Sequence, residues 1–309
     1  MKVFTNINEN IDFAESINLV PGNCFASVGF FDGVHLGHKY VIEQLQAAAT
    51  GSNTEELLVT LWPHPSIYFN NPVNLLTTLE EKIKILRNAG LRNLLILNFD
   101  TELANMPKTE FVKKILIGQL SVCGIVMGYN NSFGSKEKAG LEIDRNLVKI
   151  LKLPEFTLPD EPKVSSSIIR RYLEEGMVKE ASNLLGYYFM ISGYVEYGYQ
   201  IGRKLGFPTA NLSRIENYKL IPADGVYIAE VKIDGDWLPA MLNIGKRPTF
   251  NGNERTIEFH ILNYEGDLYN RNLSVRFIRR IRGEIKFDNT NKLVEQLNSD
   301  REVTRLFFY

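Results

Sequence analysis

Two of the chain's four histidines, His35 and His38, stand three residues apart inside the run Gly29-Phe30-Phe31-Asp32-Gly33-Val34-His35-Leu36-Gly37-His38. An apolar run precedes this segment, and Val41, Leu45 and Ala48 follow it on one side of a helix, so it reads as a glycine-rich turn from a strand into a helix. Such a turn offers an anion free backbone N–H groups and the positive end of a helix dipole, and its glycines let the backbone come close. The two imidazoles, with Gly37 between them, can place donors on one phosphate and stabilise charge that grows on its oxygens during transfer. A metal pair and a plain surface loop are the competing readings. Zinc would need a third and a fourth ligand, and His64 and His260 are the histidines that remain, the latter in the other half of the chain. Neither G-x-x-x-x-G-K-[ST] nor G-x-G-x-x-G occurs, which excludes a Walker-type NTPase and the dinucleotide fingerprint.

The elements that must position these groups change character along the chain. From Cys24 to about Gly186, apolar runs (Phe25 to Phe30, Leu57 to Leu61, Leu94 to Phe99, Gly124 to Gly128) alternate with helical stretches, the signature of a parallel sheet built from βαβ units. Thr78 and Glu81 form a capping box for a helix with Ile83, Leu86 and Ala89 on its apolar stripe, ended by Gly90. Two loops fall at the same sheet edge as the histidines: Pro63-His64-Pro65, and Gly128-Tyr129-Asn130-Asn131-Ser132-Phe133-Gly134. The run Ser165-Ser166-Ser167-Ile168-Ile169-Arg170 opens a helix that serine hydroxyls can cap, with Arg170 one turn in and able to reach a polyphosphate. That helix, Ile168 to Glu175, is followed by a second, Val178 to Leu185, closed by Gly186. Beyond it, β-branched and aromatic residues alternate: Val226 to Val231, a hairpin turn at Asp234-Gly235, then Ile257, Phe259 and Ile261, then Leu273, Val275 and Phe277. The tail from Asn289 to Phe308 reads as a helix with Leu293, Leu297, Val303 and Leu306 turned inward. Short strands and one closing helix predict a small barrel.

A length of 309 residues favours two domains, and 44% apolar with 23% charged residues is an ordinary globular composition. The net charge of −1 offers no global field for a nucleic acid or an acidic bilayer. Cys24 and Cys123 lie far apart, and neither sits in a C-x-x-C, against a disulfide scaffold and a thiolate zinc site. No apolar run approaches the roughly 18 residues a spanning helix needs, and Met1 to Asn10 is polar where a signal peptide is apolar; the expectation is a cytoplasmic protein.

His35-x-Gly37-His38 behind Gly29-Phe30-Phe31-Asp32-Gly33, with Ser166-Ser167-x-Ile169-Arg170 downstream, resembles the nucleotidyltransferases that move an adenylyl group from ATP. From about Phe25 to Phe307 the chain resembles the bacterial bifunctional riboflavin kinase and FMN adenylyltransferase family, also called FAD synthetases. The hallmark stretch is Gly202-Arg203-Lys204-Leu205-Gly206-Phe207-Pro208-Thr209-Ala210-Asn211, supported by Asp224-Gly225-Val226-Tyr227, Asn243-Ile244-Gly245 and Glu258-Phe259-His260. The resemblance implies a Rossmann-like α/β nucleotidyltransferase domain over residues 1–186. After it comes a six-stranded riboflavin kinase β-barrel with a C-terminal helix over residues 187–309. It also implies ATP, riboflavin and FMN as substrates and Mg²⁺ as cofactor. On its motifs, His35 and His38 are catalytic for adenylyl transfer. Gly29, Phe30, Asp32, Gly33, Gly37, Asn130, Ser166 and Arg170 bind the nucleotide. The chain departs from the family pattern at Asn131, where an aromatic or histidine is commoner, and at Ser167, which replaces a threonine but keeps the hydroxyl.

Phosphoryl transfer to a hydroxyl needs a metal on the phosphates, donors along them, and a group that orients or deprotonates the alcohol. The turn from Gly202 to Gly206 can wrap amides around phosphates with Lys204 as a point charge. Thr209 and Asn211 supply neutral oxygens that suit Mg²⁺, the metal role the resemblance gives them. Glu258 lies between Ile257 and Phe259 on a strand and so faces away from both; the resemblance makes it the general base for the riboflavin 5′-hydroxyl. Without the resemblance, Pro-Thr-Ala-Asn reads as a turn and Glu258 as a solvent-facing residue. Arg279, Arg280 and Arg282 are split between faces by strand alternation and read as solvated surface. Adenylyltransferases for phosphopantetheine or nicotinamide mononucleotide share the His-x-Gly-His logic but leave the barrel unexplained. A non-catalytic flavin- or nucleotide-binding regulator is the alternative from another class, yet His35, His38, Thr209, Asn211 and Glu258 are all present.

Overall fold

Leu57, Leu58, Val59, Thr60 and Leu61 are buried without alternation along β3 (Glu55–Trp62), as a strand covered on both faces requires. It lies in a parallel sheet with β1 (Lys2–Thr5), β2 (Cys24–Gly29), β4 (Asn93–Asn98), β5 (Val122–Met127) and β6 (Lys149–Lys152), in the order β1-β4-β3-β2-β5-β6. The computed structural model describes residues 1–5, 21–70, 73–129, 148–159, 161–197, 202, 205–249 and 252–309, and falls into two compact units, Met1–Ser166 and Ser167–Tyr309. The four strands read from the sequence are present within two or three residues. The two edge strands escape that reading because each is four residues long and lysine-bearing, the usual dress of an edge.

In this unit the chain winds from β2 outward to β3 and β4, then returns to add β5 on the other side of β2. The switch point therefore lies at the carboxyl end of β2, where open α/β sheets take their ligands. From that end the chain enters α1 (Leu36–Gly51), which buries Val41, Ile42, Leu45 and Ala49. Helix α2 (Leu79–Asn88) starts on the expected capping box, Thr78 Oγ1 accepting from Glu81 N and Glu81 returning to Thr78 N, and ends at Gly90 with φ of +80°. Its buried stripe differs from the expected one: Glu81, Lys82, Ile85 and Leu86 are buried, while Ile83 and Ala89 are half-buried. The helix turns Lys82 inward to a polar partner, and the apolar residues shift with it.

Helices α3 (Ser166–Glu174) and α4 (Val178–Leu185), counted with the first half in the sequence reading, fall after Ser165 almost wholly in the second unit. They are tied there: Ala223 N donates to Leu173 O (2.9 Å), and Arg280 lies over Gly176 and donates to Glu175 O (3.4 Å). Beyond them a closed barrel forms in the order β10-β11-β8-β7-β12-β9. Its strands are β7 (Met190–Glu196), β8 (Ala210–Ser213), β9 (Gly225–Ile233), β10 (Asp236–Thr249), β11 (Gly252–Ile261) and β12 (Asn272–Arg282). Asp234 and Gly235 both take positive φ, +50° and +105°, as a type I′ hairpin turn demands. Leu212, Leu242, Ile244, Ile257, Phe259, Val275 and Phe277 fill the interior.

Two expectations about this unit are corrected. Helix α5 (Thr290–Phe308) is capped by Asn289 as expected, but Leu306 is 66% exposed, whereas Asp300 and Thr304 are buried. Asp300 is turned inward by Arg282, whose guanidinium donates to both carboxylate oxygens (2.7 to 3.1 Å). The arginine cluster is therefore not simply solvated surface. Register shifts after Phe277 and after Arg280 break the alternation that the sequence reading assumed. Arg280 reaches the Asp224 carbonyl (2.6 Å), Arg282 the carboxylate of Asp300, and Arg279 alone of the three is exposed.

Candidate functional site

The turn that leaves β2 is built under backbone strain. Phe31 (φ +48°) and Val34 (φ +37°) occupy the left-handed region together with Gly33 (+79°), although neither carries a side chain suited to it. Each such residue costs on the order of 1–3 kcal/mol and persists only where its surroundings hold it. Those surroundings are specific. The carboxylate of Asp32, 4% exposed, accepts from Leu76 N (3.0 and 3.2 Å), Thr77 N (3.2 Å) and Thr77 Oγ1 (3.4 Å). Gly33 N donates to Thr77 Oγ1 (3.2 Å), and Ser166 Oγ donates to the Asp32 carbonyl (2.9 Å) instead of capping its own helix. The Phe30 carbonyl accepts from Lys82 Nζ (2.7 Å) and Thr60 Oγ1 (3.3 Å).

The histidines stand on this frame at the start of α1. Their rings are stacked, with centroids 3.6 Å apart and planes 13° from parallel. His35 is buried and is the N-cap of α1: its Nδ1 accepts from His38 N (3.3 Å), which leaves the proton on Nε2. Gly37 makes room for this, since a Cβ there would stand 3.3 Å from the His35 ring. His38 is half-buried, edge-on to Phe31 (5.2 Å), and its Nδ1 is buried with no hydrogen-bond partner among the described residues. Burial foremost, then the neighbouring His35 and Lys82, pushes its pKa well below the ordinary imidazole value, so His38 is neutral at physiological pH. A neutral stacked pair at a helix N-terminus can donate to a phosphate without bringing two like charges together.

Around the same edge, Phe30 packs on His64 (4.8 Å) and on Phe99 (6.3 Å). His64 caps the turn Pro65–Tyr68 and shares a hydrogen bond with Ser66 Oγ (2.7 Å). Gly29 lies against the Phe31 ring. Asn130 and Asn131 lie outside the described residues; Tyr129, just before them, is 60% exposed. Arg170 is half-buried one turn into α3, in the second unit, and Ser167 beside Ser166 is exposed.

The second unit assembles a different constellation. Asn211 on β8, Glu258 on β11 and Asn243 on β10 are register partners and form one row across three neighbouring strands. Ile257 and Phe259 point into the barrel, so the row lies on its outer wall, where all three residues are half-buried. Thr209 Oγ1 donates to Glu258 Oε2 (3.2 Å), which keeps the hydroxyl's lone pairs available. The loop before it is fixed at both ends. Leu205 N (3.0 Å) and Phe207 N (2.8 Å) both donate to Gly202 O, Gly206 takes φ of +80°, and Pro208 O is held by His260 Nδ1 (2.9 Å). A Cβ at Gly202 would collide with Phe207 O and crowd Thr209 Oγ1. Phe207 packs with Met241 and Leu262 beneath Val294 and Leu297 of α5, which anchors the loop to the wall. Lys204 lies outside the described residues. Beside Asn211 opens a pocket of about 600 Å³, whose walls include Ile215, Ile221 and the cationic Arg214, Lys219 and Arg255.

Sequence reasoning brought together His35 with His38 and Thr209 with Asn211 and Glu258, and the structure places each group as a cluster. It gave Asn243 no role, although the motif Asn243-Ile244-Gly245 was noted. It missed Lys82, whose one signal was a charge on the apolar side of an amphipathic helix.

The chain was compared with known proteins. Residues 18–167 match the FAD synthetase family model and residues 185–308 the riboflavin kinase model, which leaves most of α3 and α4 between them. Curated relatives described as bifunctional riboflavin kinase/FMN adenylyltransferase run nearly the whole length. One from Listeria monocytogenes is 34% identical (93% of each chain), one from Escherichia coli K12 32% (92% of this chain, 93% of the relative), and one from Buchnera aphidicola 31% (95% and 96%). A crystal structure from Streptococcus pneumoniae, described as a macrolide-efflux protein, superposes with a TM-score of 0.86 at 30% identity over 99% of both chains. Among the described residues of this chain, no helix is long and apolar enough to cross a membrane.

Proposed function

Because the chain belongs to the bifunctional riboflavin kinase and FMN adenylyltransferase family, we propose that its two reactions are carried by the clusters at the end of β2 and on the β8–β11–β10 wall. The chain is a bifunctional enzyme of flavin cofactor biosynthesis. Its C-terminal part phosphorylates riboflavin to FMN with ATP, and its N-terminal part joins FMN to the AMP portion of ATP, giving FAD and pyrophosphate. What supports the assignment of residues is their separation: each compact unit matches one family model, His35 and His38 stand in the first, and Thr209, Asn211 and Glu258 stand in the second.

In the first unit an oxygen of the FMN phosphate attacks the α-phosphorus of ATP in line, and pyrophosphate leaves. His35 through Nε2–H and His38 stabilise the charge that grows on the phosphoryl oxygens, while amides at the start of α1 face the phosphates. Asp32 serves as a positioning residue, since its carboxylate is engaged by Leu76 and Thr77. Gly29, Gly33 and Gly37 keep the turn close to the nucleotide. Asn130, Ser166 and Arg170 are the remaining nucleotide residues by resemblance.

In the second unit Glu258 takes the proton of the riboflavin 5′-hydroxyl as its oxygen bonds to the γ-phosphorus and ADP leaves. Such a base contributes roughly 10²- to 10⁴-fold. The donor set fits Mg²⁺: the Thr209 hydroxyl and the Asn211 carboxamide are hard neutral oxygens adjoining the Glu258 carboxylate. When bound there, the ion neutralises phosphate charge. By resemblance Gly202, Lys204 and Gly206 bind the nucleotide, and the pocket beside Asn211 suits a base and ribose. The use of ATP and the net charge of −1 support a cytoplasmic enzyme acting on small molecules rather than nucleic acid.

The test is a double dissociation. His38→Ala should abolish FAD formation from FMN and ATP yet leave FMN formation from riboflavin largely intact, and Glu258→Gln should do the reverse. A folded protein in which either change removes both activities would overturn the two-site assignment.

A further inference from the structure

Lys82 is 2% exposed, an unusual place for an ammonium group, and the adenylyl-transfer reading does not account for it. It projects from α2 beneath the strained turn, donates to the Phe30 carbonyl at 2.7 Å, and lies 5.6 Å from the centroid of the Trp62 ring. The groups facing it can be named element by element. The turn presents the Asp32 carboxylate, already bound by backbone amides; the start of α1 presents His38; the end of β3 presents the neutral Trp62 and Thr60. Among the described residues the cation has no close salt bridge to cancel it, and at 2% exposure water does not screen it. Its field extends toward the imidazole pair, where it opposes protonation of His38.

We propose that Lys82 is a positioning residue for adenylyl transfer: its buried ammonium pins the Phe30 carbonyl of the strained turn and supplies a fixed positive field behind the phosphate cradle. The proposal rests on the assignment of His35 and His38 to that reaction. A polyphosphate in the cradle would feel this charge through protein, where a unit charge acts several-fold more strongly than through water. The same burial makes the charge labile. Desolvation pulls the Lys82 ammonium down to about 8, with Asp32 opposing the fall, so the field is present below that pH and fades as pH rises through it. Adenylyl transfer should therefore lose activity on the alkaline side in a way that phosphoryl transfer by the other unit does not.

The decisive measurement uses the unaltered enzyme. With lysine Nζ labelled with nitrogen-15, one resonance, identified by its loss in Lys82→Met, should titrate near pH 8, and kcat/KM for FAD formation should fall with the same apparent pKa. Lys82→Met should lower kcat/KM at pH 7 by about tenfold to a hundredfold and flatten the alkaline limb. Lys82→Arg, which stays charged, should recover much of the activity and move the limb upward. If the wild-type resonance titrates in the ordinary lysine range, or if the limb is the same in a folded Lys82→Met enzyme, the proposal fails. If instead His38→Ala retains FAD formation, the underlying site assignment fails, whatever Lys82 does.

Discussion

Replacing Asp32 by alanine tests whether the strained turn is held from beneath. The carboxylate is buried and accepts from two backbone amides, those of Leu76 and Thr77, at 3.0 to 3.2 Å. A hydrogen bond to a charged acceptor contributes about 1.5–3 kcal/mol, so losing two removes roughly 3–6 kcal/mol. The left-handed Phe31, Gly33 and Val34 would lose the clamp that offsets their strain. Against the 5–15 kcal/mol of a typical domain this is a large fraction. The chain has two tryptophans, Trp62 in the first unit and Trp237 in the second, so a Trp237→Phe background makes fluorescence report on the first unit alone. With a urea slope of about 2 kcal/mol/M, the midpoint should fall by about 2 M in Asp32→Ala. Asp32→Asn, which keeps one acceptor oxygen, should fall by less. FAD formation should be lost at temperatures where FMN formation persists. A midpoint within about 0.5 M of the parent, with FAD formation unimpaired, would refute the clamp.

Other expectations concern the second unit. Gly202→Ala should depress FMN formation by pushing the loop from Phe207 O and Thr209, while FAD formation from added FMN continues; separating the flavins after incubation with each substrate checks both. Arg282→Met should cost about 3–5 kcal/mol, because it strands the Asp300 carboxylate, 1% exposed, without its cation. That loss should show as an early urea transition by Trp237 fluorescence in a Trp62→Phe background, and Asp300→Leu in the same chain should restore part of it.

What the sequence made legible divides along physical lines. Periodicity found β2 to β5 and, in the barrel, β9, β11 and β12, because burial on two faces or one leaves a continuous or alternating apolar pattern. It failed for β1 and β6, where four residues at a sheet edge bury too little to leave a pattern. Spacing found His35 with His38 because both sit on one helix turn. It could not find the row Asn211–Glu258–Asn243 as a row, since strand register places residues 32 positions apart in sequence, Asn211 and Asn243, on either side of one glutamate. Strict alternation misread Arg280 and Arg282, because bulges decide where β12 sends its side chains. Lys82 was hidden for a related reason, and Asp32, named by resemblance as a nucleotide residue, turns its carboxylate to Leu76 and Thr77: a buried charge is not legible until its partner far along the chain is known.

The two units answer the same electrostatic problem with opposite devices. A triphosphate brings several negative charges, and a site must meet them without being unstable when empty. In the first unit the answer is indirect: neutral imidazoles and a helix N-terminus face the ligand, and the full positive charge of Lys82 is kept below the surface, its cost partly offset by Asp32. The empty cradle therefore carries little direct repulsion between like groups. In the second unit the answer is delegated: Thr209, Asn211 and Asn243 are uncharged, and the one carboxylate among them, Glu258, would repel a bare triphosphate. At Glu258 itself a phosphate is attracted only when a cation accompanies it, whereas Arg214, Lys219 and Arg255 line the neighbouring pocket. Removing divalent metal by chelation should therefore abolish FMN formation outright. The field behind the histidines does not come from a metal, so FMN adenylylation should keep a chelator-resistant nucleotide affinity. Equal loss of nucleotide binding in both units on chelation would contradict this division.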